Sequence, residues 1–218
     1  MSRDFGIIWA HRDQILNGLV NTVWLSLSAA TLAFALGCLL ATVLMARARP
    51  VAAAGRYFVD TMRCVPFLLF AYLVYYGLPS FGIRFTNWSA GLVALTLYNT
   101  AYMAELLRAA WAALSREMIE AGHAFGFVGL NLFRRIVLPP VILAAIPMIG
   151  NQLIQIIKDS AFLTIIAVPE LTHEASSIQA TYFVPFAAFV TAVLLYWVLC
   201  MIVEAAVAGV GRLAEARR

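Results

Sequence analysis

Residues 14–46 read QILNGLVNTVWLSLSAATLAFALGCLLATVLMA, with no Asp, Glu, Lys or Arg anywhere in the stretch. A helix rising about 1.5 Å per residue needs about 20 such positions to cross the hydrocarbon core of a bilayer. The run is longer than the apolar core of a signal peptide, so it reads as a retained membrane span. Four further windows lack charge, at 64–83, 85–104, 136–157 and 175–203. Trimming their polar ends gives expected helices at 18–45, 65–83, 88–112, 139–157 and 184–208. The expected fold class is therefore an all-α polytopic membrane protein with about five transmembrane helices.

Composition agrees. The chain is 63% apolar and 12% charged, whereas a soluble domain has about one-quarter charged residues and about half apolar ones. One core cannot absorb that excess, so the lipid bilayer must solvate much of the surface. A net charge of +4 could suggest nucleic acid, but the arginines are dispersed among apolar runs, and no nucleic-acid partner is expected. Cys38, Cys64 and Cys200 have no metal or redox spacing, and His11, His123 and His173 are scattered. No metal site, bound cofactor or catalytic residue is expected. The single lysine, Lys158, follows Ile157. The Gly-Lys-Ser/Thr phosphate cradle therefore does not occur, and the chain is not expected to be an enzyme.

Five spans put the termini on opposite sides. Arg47, Arg49, Arg56 and Arg63 fall between the first two windows, and Arg108, Arg116, Arg134 and Arg135 between the third and fourth. The C-terminus adds Arg212, Arg217 and Arg218. Placing these three regions inside leaves only Arg3, Arg12, Arg84 and Lys158 outside. The positive-inside rule then predicts an outside N-terminus and a cytoplasmic C-terminus. The organisation expected is a periplasmic segment 1–17, a membrane domain 18–208 and a cytoplasmic tail 209–218. Within the membrane domain, a cytoplasmic connection at about 113–138 reads as two short helices broken near Gly126 and Gly129. An outer loop at about 158–183 contains apolar 161–168, too short to span and admissible only where protein buries it.

Residues 116–125 can form a short helix ended by Gly126 as a left-handed cap. Met118, Ala121 and Phe125 share a face, and Glu117 and Glu120 sit in the first turns, where the helix dipole favours acids. Periodicity alone leaves two readings open, a plug for a groove in another protein or a helix lying among lipid headgroups.

The run Glu120-Ala121-Gly122-His123-Ala124-Phe125-Gly126, followed by Ile136-Val137-Leu138-Pro139, resembles the EAA motif of permeases in ATP-binding-cassette importers. Gly122 stands where that family usually has alanine. Tyr102-Met103-Ala104-Glu105 with Arg108 is similar to the third-span signature of the polar amino-acid uptake branch. Pro147, Asn151, Lys158-Asp159-Ser160, Ile165 and Glu170-Leu171 match its fourth span and following loop in order. Gly18-Leu19-Val20-Asn21-Thr22 and Arg63-Cys64-Val65-Pro66-Phe67-Leu68 resemble its first two spans. The resemblance implies the type I importer permease fold, with Glu120, Ala121, Gly122, Phe125 and Gly126 docking into an ATPase subunit. It also implies a permease dimer, with itself or a paralogue, two ATPase subunits that use ATP and Mg, and a periplasmic substrate-binding protein. The localisation implied is the bacterial inner membrane, and the cargo a polar or charged amino acid or an analogue such as an opine.

Polar groups at membrane depth are the candidates for a substrate pathway. Asn151 and Gln155 lie four apart, and could bind substrate or bond across to another span. Lys158 and Asp159 offer both charges that an amino acid needs, or pair with Glu170 or Glu174. Tyr98 and Asn99 are further pathway candidates. Glu105 and Arg108, three apart, are expected to form a structural ion pair. The competing class is an ion-driven secondary transporter with Asp159 or Glu105 carrying the proton. Such a transporter calls for inverted repeats, which the sequence lacks.

Overall fold

A computed structural model describes residues 2–46 and 48–215; Arg47, Arg217 and Arg218, counted above in the charge bias, lie outside them. Ten α-helices and no strand occur among the described residues: α1 (Ser2–Ala10), α2 (Arg12–Leu44), α3 (Arg49–Cys64), α4 (Phe67–Tyr72), α5 (Asn87–Ala112), α6 (Arg116–Ala124), α7 (Gly129–Leu132), α8 (Leu138–Ser160), α9 (Leu171–Tyr182) and α10 (Pro185–Glu215). The all-α class is as expected.

Two helices organise the rest. The buried stripe of α2 runs Ile15, Gly18, Thr22, Leu25, Ala29, Ala33, Gly37, Ala41 and Leu44, a three-to-four spacing dominated by small residues. Small side chains let helix backbones approach closely where lipid supplies no hydrophobic force between them. A methyl group on Gly37 would sit 2.8 Å from Met103 Cβ and 3.2 Å from the Ala104 backbone nitrogen of α5. Helix α5 is buried on nearly every side, from Ala90 through Ala104, and packs against α2, α3, α4 and α8.

That central place explains a difference from the expected five spans. Among the described residues, three helical segments are long and apolar enough to cross a membrane, Arg12–Leu44, Gly129–Ile166 and Pro185–Arg212, or four if Arg49–Cys64 and Phe67–Phe81 form one bent span. Helix α5 has the length but carries Asn87, Thr96, Asn99, Thr100, Glu105 and Arg108. A helix enclosed by other helices does not need a lipid-compatible surface.

The stretch between the first two uncharged windows is, among the described residues, largely the amphipathic helix α3, which buries Ala52, Gly55 and Val59. It ends because Val65 precedes Pro66 and is held extended, at φ −91° and ψ 133°. The chain then turns by 106° into Phe67–Phe81, which passes from α-helix through a π turn at Leu73–Gly77 to a 3-10 turn at Leu78–Phe81.

The described part of the expected N-terminal segment, 2–17, is largely helical, and α2 starts at Arg12, six residues before the expected 18. Ile8 and Ile15 are buried against Leu171, Ala175, Ala187 and Ala188, so tertiary burial outweighs the local polarity of Asp13 and Gln14. The expected outer loop 158–183 is mostly ordered helix as well. Helix α8 runs on as a 3-10 turn, Ala161–Ile166, whose Leu163 and Ile166 are buried with Val168 against α5 and Phe67.

Candidate functional site

Helix α5 carries Tyr98 and Tyr102 one turn apart, and α8 carries Gln152, Gln155 and Asp159 at spacings of three and four. Both sets follow the helical repeat, so each lies on one face. The two faces enclose a cavity of about 300 Å³ lined by these five residues, at the small end of ligand pockets. Gln155 Nε2 donates to Asp159 Oδ1 at 2.8 Å. No protein group donates to the other Asp159 oxygen among the described residues, and the side chain is nearly buried, at 4% exposure. Behind the cavity, the fully buried Asn99 donates to the Leu95 carbonyl at 2.9 Å and accepts from Gln152 Nε2 at 2.6 Å. The Tyr98 hydroxyl donates to the Val65 carbonyl at 3.1 Å. It thereby satisfies a carbonyl at the Pro66 break and ties the bend to the cavity wall.

The structure thus brings Tyr98, Gln155 and Asp159 together, with Asn99 behind them. It does not bring in Asn151 or Lys158, which are exposed and outside the lining. Adjacent helical residues point about 100° apart, and Lys158 accordingly lies outside the lining that Asp159 joins. Nor does Lys158 pair with Glu170 or Glu174 among the described residues, since those carboxylates have other partners. Gln152 and Tyr102 were missed as lining residues. The repeat 152, 155, 159 would have found the first and 98, 102 the second.

The loop after α8 is clasped to the N-terminal half of α2. Asn21 Nδ2 donates to the Pro169 carbonyl at 2.9 Å, and the Leu171 backbone N–H donates to Thr22 Oγ1 at 3.1 Å. Gln14 Nε2 donates to Glu174 Oε2 at 2.7 Å. At Gly18 a methyl group would stand 2.8 Å from Glu174 Cγ and 3.1 Å from Leu171 Cα. The run Gly18–Thr22 is therefore the docking strip for this loop. Glu170, fully buried, caps α9 by accepting the Thr172 and His173 backbone N–H groups, each at 2.7 Å, and takes the Tyr196 hydroxyl of α10 at 2.7 Å.

Burial pushes the Glu170 carboxyl up from 4.5 to about 7, against the three donors that favour its charged form. The folded chain therefore holds a proton that the unfolded chain has released between pH 4.5 and 7. The stabilising contribution is full below pH 4.5 and is lost as pH rises through 7, at no more than about 1.4 kcal/mol per pH unit. Glu170→Gln is neutral at every pH and is expected to remove this slope from thermal unfolding of the purified chain. An unchanged slope in the variant would assign it to other groups.

The short helix α6 projects from the other end of the bundle. The Ser115 hydroxyl caps it, accepting from the Met118 N–H at 3.3 Å. Its C-terminus closes as a Schellman motif: the Phe127 N–H donates to the Gly122 carbonyl at 3.0 Å, the Gly126 N–H to the His123 carbonyl at 2.9 Å, and Gly126 sits at φ +81°. Gly122 is the buried position of α6, and a methyl group there would lie 2.6 Å from Leu132 Cδ1. The glycine thus lets Leu132 of α7 and Ile136 after it lie against α6. Glu120 and Ala121 remain exposed with Met118, while Phe125 is 82% exposed. Half-buried on the inner part of α5, Glu105 and Arg108 form the expected pair, with Nε to Oε2 at 2.8 Å and Nη2 to Oε1 at 2.7 Å.

The family model described as the binding-protein-dependent transport system inner membrane component matches residues 33–214. The probable glutamine ABC transporter permease protein GlnM of Bacillus subtilis (strain 168) is 31% identical over 193 residues, covering 88% of this chain and 89% of that protein. The octopine transport system permease protein OccQ of Rhizobium meliloti is 34% identical over 217 residues, covering 94% and 90%. A crystal structure of an amino acid ABC transporter with histidines superposes with a TM-score of 0.90 at 26% identity, over 95% of this chain and 97% of that one.

Proposed function

The chain belongs to the binding-protein-dependent transport system inner membrane components, and from that premise we propose that it forms half of the pore carrying a polar or charged amino acid, or an opine, into a bacterial cytoplasm. The observation that carries the reading is the cavity between α5 and α8, whose wall presents one carboxylate, two amides and two tyrosine hydroxyls. In this reading the Asp159 carboxylate receives the ammonium group of the cargo. The Gln152 and Gln155 amides offer donors to its carboxylate, and the tyrosine rings wall the passage. The named cargoes of two relatives, glutamine and octopine, both carry these charged groups.

The chain works as a dimer, with itself or a paralogue, between a binding protein outside and two ATPase subunits at α6. The N-terminus faces the periplasm and α6 the cytoplasm, in keeping with the arginine distribution. Closure of the ATPases on ATP and Mg moves α6, and with it α5 and α8, because only states that differ in these contacts can be shifted by nucleotide. The chain supplies positioning and movement, and the hydrolysis belongs to its partner.

The test is uptake into proteoliposomes that hold the permease with its ATPase, supplied outside with its binding protein and labelled amino acids. Uptake is expected only when ATP is supplied to the ATPase, and only for substrates with an ammonium group. Uptake that persists without the ATPase and collapses with a protonophore would overturn the reading in favour of a secondary transporter.

A further inference from the structure

At the corner between α2 and α3 lies a groove of about 520 Å³, lined by Leu44 and by Arg49, Ala53, Arg56, Tyr57 and Asp60. Leu44 ends the 33-residue apolar helix α2, so the groove opens where hydrocarbon gives way to headgroups. Helix α3 stands at 106° to the segment that follows it. Its apolar face is taken up by packing on α2 and α5, at Ala52, Gly55 and Val59. The face left over carries Arg49 and Arg56, seven residues and two turns apart, and Tyr57 is 76% exposed beside them. Arginine presents a planar fork matched to phosphate oxygens, and tyrosine favours the headgroup layer. Asp60 lies one turn beyond Arg56, and among the described residues no ion pair within 4.0 Å joins it to either arginine.

We propose that this groove binds an anionic phospholipid of the surrounding membrane, with its phosphate on Arg49 and Arg56. Asp60 accepts a hydroxyl of a glycerol headgroup, and the acyl chains lie along the apolar end of α2. A carboxylate beside two guanidinium groups selects a headgroup that is both an anion and a hydroxyl donor, so phosphatidylglycerol fits and phosphatidylcholine does not.

Native mass spectrometry of the delipidated full chain, offered equal amounts of these two lipids with matched acyl chains, tests the assignment. The wild type is expected to retain phosphatidylglycerol preferentially. Each basic group near an anionic lipid contributes about fivefold, so R49Q/R56Q is expected to lower retention about thirtyfold. R49K/R56K keeps most of it, because the charge remains. Ala53→Glu expels the lipid by charge repulsion while both arginines stay in place, and Arg212→Gln, far along the chain, changes nothing. Equal retention of both lipids by the wild type, or unchanged retention by R49Q/R56Q, overturns the proposal. Retention of inorganic phosphate with neither lipid bound rules out a lipid occupant. Weakened ATPase association in R49Q/R56Q, with the lipid still bound, assigns the surface to a protein.

Discussion

Asp159→Asn is expected to lower the efficiency of ATP-driven uptake by about 30-fold to 5,000-fold, the equivalent of about 2–5 kcal/mol for removing one partner of a buried charge pair. Asparagine keeps the shape of the side chain, and its carbonyl oxygen can still accept the bond that Gln155 Nε2 makes at 2.8 Å. The wall between α5 and α8 is therefore preserved, and the charge alone is lost. A substrate ammonium entering the cavity would then shed its water without a counter-charge, which is costly inside a bundle. Lys158→Gln supplies the contrast, since Lys158 is adjacent in sequence but exposed and outside the cavity. It is expected to leave uptake within about twofold of the wild type, as exposed charges contribute little. The readout is initial uptake rate against substrate concentration, with the amount of permease in the membrane measured alongside. Wild-type uptake by Asp159→Asn would reduce Asp159 to a structural partner of Gln155 and remove the cavity as the substrate site.

That contrast between neighbours shows what the sequence could and could not disclose. Uncharged windows identified the membrane helices because lipid imposes a simple, local requirement on the side chains facing it. The third expected helix, 88–112, matches α5 (Asn87–Ala112) almost to the residue, yet α5 is more polar than a lipid-facing span, because an enclosed helix answers to its neighbours and can keep Asn99 and Thr100. Helix α3 went unrecognised because its three arginines outweighed the buried positions Ala52, Gly55 and Val59, whose spacing already described one face. In the site, Tyr98, Gln155 and Asp159 were legible as polar groups at membrane depth. Gln152 rather than Asn151 lines the cavity, a difference of one residue, or about 100° around α8. The clasp of Asn21 and Thr22 on the outer loop was visible only as a motif. Its cause is a contact across 148 and 149 residues of sequence, which no local pattern encodes.

Glu120→Lys is expected to lower ATP-driven uptake more than 100-fold while the permease still assembles in the membrane. Glu120 is exposed on α6, so the substitution removes no packing and leaves the Ser115 cap and the Gly126 closure intact. Lysine is as good a helix former as glutamate, and the intrinsic stability of α6 changes by only a few tenths of a kcal/mol. What changes is the field that the helix presents to whatever docks on it. A reversal of two charge units beside a complementary surface turns attraction into repulsion, at a cost of several kcal/mol, which corresponds to the expected loss. The apolar part of the same surface, Phe125 with Met118, remains available. Residual association of the ATPase without productive transport is therefore the expected pattern. ATPase co-purification and uptake should be measured on the same membranes, so that weak docking is separated from failed coupling. Transport by Glu120→Lys at the wild-type rate would leave α6 as a helix lying among lipid headgroups, and the ATPase would have to dock elsewhere on the chain.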